Sequence, residues 1–314
     1  MGVIEKAARR LEQLKHANAA ESEKELLQEP SIGGPFPTTG QSRDMCQSVS
    51  PVALNQEAGE GGRAKRLPQQ STNRVSIDLD RLGRLGLVSP GDPKSLIAEE
   101  LRDIKRPILR NATGKGAAPV ANGNLVMITS ALPSEGKSTT AVNLAMSIAL
   151  EVDYTVLLVD ADVANPSIPA KLGVATEMGL LDVLSDSSID VGDVLIRTNI
   201  ESLSLLPSGK FQSRATELLS SDVMNKLLRE LASRYSDRII VFDSPPLLRS
   251  NEARAIATQM GQVVVVVGAE STTHDQVRQA LAAIEVCPVR LIMLNKSRLA
   301  LGTTHGGYGY GYGR

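Results

Sequence analysis

Tryptophan is absent from this sequence of 314 residues, and phenylalanine and tyrosine number only three and five. Cys46 and Cys287 are the only cysteines. Two unpartnered thiols at no metal-ligand spacing exclude a disulfide framework or a cysteine-ligated zinc site, and imply a reduced, cytoplasmic setting. No run of about 18 apolar residues occurs, so no segment is expected to span a bilayer. Met1 to Lys15 is charged throughout and lacks the apolar centre of a secretory leader. An excess of either charge is missing too: 34 Lys and Arg face 35 Asp and Glu, for a net charge of −1. That balance excludes the basic footprint of a nucleic-acid binder. His16, His274 and His305 have no carboxylate or cysteine at ligand spacing, so no metal is assigned to them.

What remains is ordered along the chain. Ile4, Ala7, Ala8, Leu11 and Leu14 share one helical face, which predicts an amphipathic helix within residues 1–28. Residues 29–74 turn to Pro, Gly, Ser and Gln, a composition that buries too little apolar surface to offset the entropy of ordering, and are read as a disordered linker. Apolar spacing returns at Val75 to Val88, which is expected to pack on the edge of a domain. A helical stretch from Pro93 to Leu109 follows. Apolar strand candidates are Leu125–Ser130, Thr155–Asp160, Leu203–Leu206, Arg238–Asp243, Gln262–Gly268 and Val289–Asn295. Helical patterns at Lys137–Leu150, Ala215–Tyr235, Glu252–Met260 and Asp275–Val286 lie between them. Continuous Val, Ile and Leu strands alternating with helices predict an α/β domain over residues 75–302, a mostly parallel sheet covered by helices on both faces. Residues 303–314 form a Gly/Tyr-rich tail that carries three of the five tyrosines.

The chemistry is concentrated at strand ends. Ala131 to Thr139 (ALPSEGKST) follows a strand and opens a helix, as in the phosphate loop G-x-x-x-x-G-K-[ST], with Ala131 in place of the first glycine. Backbone N–H groups of Ser134, Glu135, Gly136, Lys137, Ser138 and Thr139 are expected to face the phosphates of ATP, aided by the helix N-terminus. Lys137 would reach the β- and γ-phosphates and the Ser138 hydroxyl would take Mg²⁺. The strand Arg238–Asp243 ends on a carboxylate, and a carboxylate at the end of a neighbouring buried strand can complete the Mg²⁺ shell. A further strand ends in Asp160 and Asp162, spaced to join the metal site or take a proton from a nucleophile. Asn295 closes the last strand, where its amide could pair with adenine.

Together these residues resemble the bacterial tyrosine autokinases of exopolysaccharide systems, and the exosortase-associated branch most. The similarity spans about residues 75–314. It includes the phosphate loop, the strand ending in DAD, the FDSPP strand at Phe242, the segment Leu206 to Gly209 (LPSG) with Ala215 to Leu219 (ATELL), and the terminal tyrosines. Asp78 to Leu82 (DLDRL) and the short N-terminal helix look like the exosortase-linked group. The resemblance implies a P-loop kinase that assembles into a homo-oligomeric ring and phosphorylates Tyr308, Tyr310 and Tyr312 in trans. It also implies a subunit interface at an E-x-x-R-x-x-R helix, here Glu99, Arg102 and Lys105. Lys lacks the forked donor geometry of Arg at the third position, and Arg106 is adjacent. A second departure is Ala164, where the family often has Arg. Because this chain has no membrane segment, the resemblance implies a separate transmembrane activator of the polysaccharide co-polymerase type. The protein would then sit at the inner membrane peripherally, through that partner.

The competing class is a nucleotide switch of the septum-placement and partitioning type, which binds partners according to nucleotide state. Those ATPases carry an early lysine in K-G-G-x-G-K; this chain has Leu132 there, and a tyrosine tail that they lack.

Overall fold

The computed structural model describes residues 74–92 and 94–297. The N-terminal helix, the linker and the tyrosine tail expected from the sequence lie outside the described residues. Within them the elements run α1 (Leu79–Arg84), α2 (Leu96–Ala112), β1 (Leu125–Ser130), α3 (Lys137–Ala149), β2 (Thr155–Asp160), α4 (Ile168–Leu172), α5 (Leu180–Ser185), α6 (Val191–Val194), β3 (Ile196–Arg197), β4 (Leu203–Leu206), α7 (Ala215–Leu219), α8 (Asp222–Arg234), β5 (Arg238–Asp243), α9 (Asn251–Ala257), β6 (Gln262–Gly268), α10 (His274–Ala282) and β7 (Val289–Asn295).

The seven strands form one sheet in the order β3-β4-β2-β5-β1-β6-β7. All pairings are parallel except β3 with β4. Side chains alternate across the pleat, so each central strand feeds two cores. Leu125 and Met127 of β1, with Leu157 and Val159 of β2, enter one apolar cluster. Val126, Ile128, Val156 and Leu158 enter the other. The first cluster is completed by α5, α7, α8 and α9. The second is completed by α2, α3 and the segment from Ile77 to Val88. The expected mostly parallel sheet is therefore present, and burial on both faces explains why its central strands β1, β2, β5 and β6 read as unbroken apolar runs.

The leading segment is held by side-chain amides as well as by apolar contact. Asn199 brackets Ile77, accepting from its N–H at 2.8 Å and donating to its carbonyl at 3.1 Å. Asn143, buried in α3, accepts from the Val88 N–H at 2.9 Å.

Three expectations about helices change. The stretch Ala215–Tyr235 is two helices, because the Ser221 side chain accepts from the Met224 N–H and starts a new one. The helix read from Pro93 begins instead at Leu96, after Ser95, and continues through Pro107 to Ala112. The third concerns Lys105, read as an interface residue. Its Nζ is turned inward, donating to the Ser147 carbonyl at 2.9 Å and pairing with Glu151 at 2.5 Å. Lys105 is 7% exposed, so it anchors α2 to the end of α3 within the same chain. Its place on an outward face with Glu99 falls to Arg106, seven residues on and exposed.

Candidate nucleotide site

Parallel pairing brings the carboxyl ends of β2, β5, β1 and β6 together, and the functional side chains are gathered there. Asp160 and Asp243 end adjacent strands in direct register, and Asp243 is also level with Ile128 of β1. The loop from Ala131 to Gly136 leaves β1 beside them.

That loop is shaped by groups outside it. The Glu135 carboxylate is 3% exposed; it accepts from the Leu132 N–H at 2.5 Å and the Gly268 N–H at 3.0 Å, and takes the Thr272 hydroxyl as well. The Lys296 ammonium donates to the Ser134 carbonyl at 2.6 Å. Asn295 donates through Nδ2 to the Glu135 carbonyl at 2.8 Å, and its Oδ1 accepts from the Lys296 N–H at 2.9 Å. Its amide thus links the end of β7 to the phosphate loop. Gly136 has φ 99°, and a Cβ there would run into the Asn295 amide, so two constraints require glycine.

Gly136 is also the N-cap of α3 and offers no side-chain cap. The first-turn N–H groups of Lys137, Ser138 and Thr139 have no partner within the helix and are free to bind an anion. The Lys137 ammonium lies against the buried Asp162 carboxylate and 3.5 Å from the Ser138 hydroxyl. Beyond the acidic strand, Lys171 of α4 donates to the Thr139 hydroxyl at 3.2 Å.

The two strand-end carboxylates are under electrostatic stress. Burial pushes Asp160 up to about 7, and the Asp243 charge adds to this; hydrogen bonds from the N–H groups of Ile168 and Ser167, each 3.1 Å, oppose it. Burial pushes Asp243 up to about 6 against the pull of Lys137. Both Asp243 oxygens, Asp160 Oδ1 and the Ser244 hydroxyl are buried without a hydrogen-bond partner. Unsatisfied carboxylate oxygens on neighbouring strand ends suit a hard cation or its waters. Among the described residues no three His, Cys, Asp or Glu side chains gather into a protein-only metal cage. A cation here would therefore share its shell with a ligand's phosphates, as Mg²⁺ does.

The structure brings Ser134 to Thr139, Asp160, Asp162, Asp243 and Asn295 to one edge of the sheet. Glu99, Arg102 and Lys105 stand apart on α2, and Tyr308, Tyr310 and Tyr312 lie outside the described residues. Sequence reasoning missed Lys171, Lys296 and the side-chain role of Glu135. Lys171 is the one Lys or Arg between Asp160 and Leu172, a clue available in the sequence. No helix among the described residues is long and apolar enough to cross a membrane.

Comparison with known proteins bears on this site. A family described as an AAA domain matches residues 133–296. Tyrosine-protein kinase YwqD of Bacillus subtilis is 32% identical over 225 residues, covering 71% of this chain and 91% of the relative. Putative tyrosine-protein kinase EpsB of Ralstonia nicotianae is 30% identical over 226 residues, which is 72% of this chain but 28% of that longer protein. Among solved structures, the VpsO kinase domain aligns with a TM-score of 0.51 at 30% identity, covering 65% of this chain and all (100%) of that one.

Proposed function

The chain belongs to the bacterial tyrosine-protein kinase family, and from that premise we propose that it transfers the γ-phosphoryl group of ATP to its own C-terminal tyrosines. The observation that carries this reading is the set of unpartnered carboxylate oxygens at neighbouring strand ends, Oδ1 of Asp160 and both oxygens of Asp243, beside the phosphate loop at the N-terminus of α3. The N–H groups from Ser134 to Thr139 hold the phosphates, and Lys137 turns from Asp162 to the β- and γ-phosphates when they arrive. Ser138, Asp243 and Asp160 would hold Mg²⁺, which neutralises charge building on the phosphate oxygens.

Asp162, released by Lys137, accepts the proton of the attacking tyrosine hydroxyl. The tyrosine oxygen forms a bond to the γ-phosphorus, the bond to the bridging oxygen breaks, and ADP leaves. Tyr308, Tyr310 and Tyr312 alternate with glycine, so each ring can be presented free of its neighbours. They are presented in trans, to an adjacent copy in a homo-oligomeric ring that meets through the Glu99 and Arg102 face of α2. A separate transmembrane partner of the polysaccharide co-polymerase type activates the kinase at the inner membrane, and exopolysaccharide polymerisation and export are the process regulated.

The test is to incubate the purified protein with MgATP and map phosphotyrosine by mass spectrometry. Phosphate confined to residues 308–312 supports the reading. ATP turnover with no phosphotyrosine overturns it in favour of a nucleotide switch.

A further inference from the structure

Lys171 lies outside the phosphate-loop pattern and outside both acidic strand ends, yet its ammonium donates to the Thr139 hydroxyl at 3.2 Å. Thr139 is the third residue of α3, in the uncapped first turn whose N–H groups face an incoming anion. The partner is an uncharged hydroxyl, so the hydrogen bond uses one of three ammonium donors and neutralises none of the charge. Lys105 differs, since its charge is matched by Glu151. Lys137 differs as well, since its charge is matched by Asp162.

We propose that Lys171 is a second phosphate-facing cation, a positioning residue that grips the α- and β-phosphates of the bound nucleotide through the Thr139 side of the loop. The proposal rests on the nucleotide-binding reading above and extends it to a residue on a different element. Ala164, in the loop between Asp162 and α4, is exposed and uncharged. Lys171 is thus the cation that this connection delivers to the phosphate loop. Thr139 adjoins Ser138 on the side away from Lys137. A cation held there meets the part of the ligand common to ATP and ADP, while Lys137 extends toward the terminal phosphate.

Titration calorimetry of the full chain with MgADP tests this directly, on wild type, Lys171→Met and Lys171→Arg. Loss of one charge-assisted phosphate contact should weaken MgADP binding about tenfold in Lys171→Met, and Lys171→Arg should stay close to wild type. In autophosphorylation, KM for MgATP should rise more than kcat falls. Wild-type MgADP affinity in Lys171→Met would overturn the proposal. So would equal weakening in both variants with a matching fall in the melting temperature of the ligand-free protein, because that marks a packing role. Failure of the wild-type protein to bind MgADP would overturn the nucleotide reading along with it. Tight MgADP binding without any phosphotyrosine would overturn only the kinase reading.

Discussion

The Lys137 ammonium is held by the Asp162 carboxylate, at side-chain exposures of 12% and 2%. In the mechanism proposed above this cation meets phosphate and this acid takes the tyrosine proton, so the ion pair ties the two proposed functional groups to each other. On that reading each would be released by the other's departure, and nucleotide binding and exposure of the base would be one event. A buried pair of this kind is strongly coupled: removing either partner leaves the other uncompensated.

Opposite effects on binding follow from truncating the two partners. Lys137→Met should remove a phosphate contact and abolish ATP-dependent labelling in a folded protein. Asp162→Asn should free Lys137, leaving MgADP affinity equal to or tighter than wild type, while phosphoryl transfer falls by about 10²-fold or more. Calorimetry and phosphotyrosine mapping on the same preparations separate the two. Weakened MgADP binding in Asp162→Asn would count against the competition.

The metal-free protein should lose stability as pH rises. Burial pushes the folded-state carboxyls of Asp160 and Asp243 up to about 7 and about 6, against 3.8 for an ordinary Asp. Between those limits the folded chain holds protons that the unfolded chain has released, so deprotonation favours unfolding. Melting temperature should decline from about pH 4 to about pH 7 and then level. Asp243→Asn removes one of the buried charges and should raise ligand-free stability at pH 8 by about 1–3 kcal/mol while losing Mg²⁺-dependent activity. Thermal melts across pH, with chelator present, check the slope. A variant no more stable than wild type at pH 8 would show that Asp243 is not strained.

The tail prediction concerns charge. Each phosphate brings about −1.5 to −2 charges at neutral pH. Three on Tyr308, Tyr310 and Tyr312 should repel the tail from the rim formed by Asp160, Asp162 and Asp243 and disperse the oligomer. Replacing all three with Phe keeps the rings and removes the acceptors. Phosphate incorporation should then vanish, and sedimentation should show assembly persisting in MgATP. Wild-type incorporation by the triple variant would remove the tail from the mechanism.

Lys105 and Arg106 should behave differently despite being neighbours. Lys105→Met breaks the contacts to Ser147 and Glu151 and should cost about 1–2 kcal/mol of stability in the isolated chain. Arg106→Ala should leave melting unchanged and weaken self-association. Denaturant unfolding and sedimentation on each variant tell them apart. A reversal of the two outcomes would restore Lys105 to the interface.

Much of this architecture was legible in the linear sequence, because a strand buried on both faces must be apolar along its whole length. All six strands read from apolar runs, from Leu125–Ser130 to Val289–Asn295, are present with the expected ends, although β7 is an edge strand with one face exposed. The two-residue β3 has no such run and pairs antiparallel at an edge, so nothing in its composition marks it. Phosphate-loop chemistry was equally readable, since glycine at φ 99°, a lysine and a hydroxyl must occur in fixed order along one turn. Long-range pairings were not. The grip of Glu135 on Gly268 and Thr272, the turn of Asn295 onto the loop, the inward course of Lys105 and the reach of Lys171 to Thr139 join residues 32 to 160 positions apart. Local periodicity records only which face of its own element a residue occupies. Which residue a side chain meets across the sheet depends on strand order and crossover, and only the folded chain decides that.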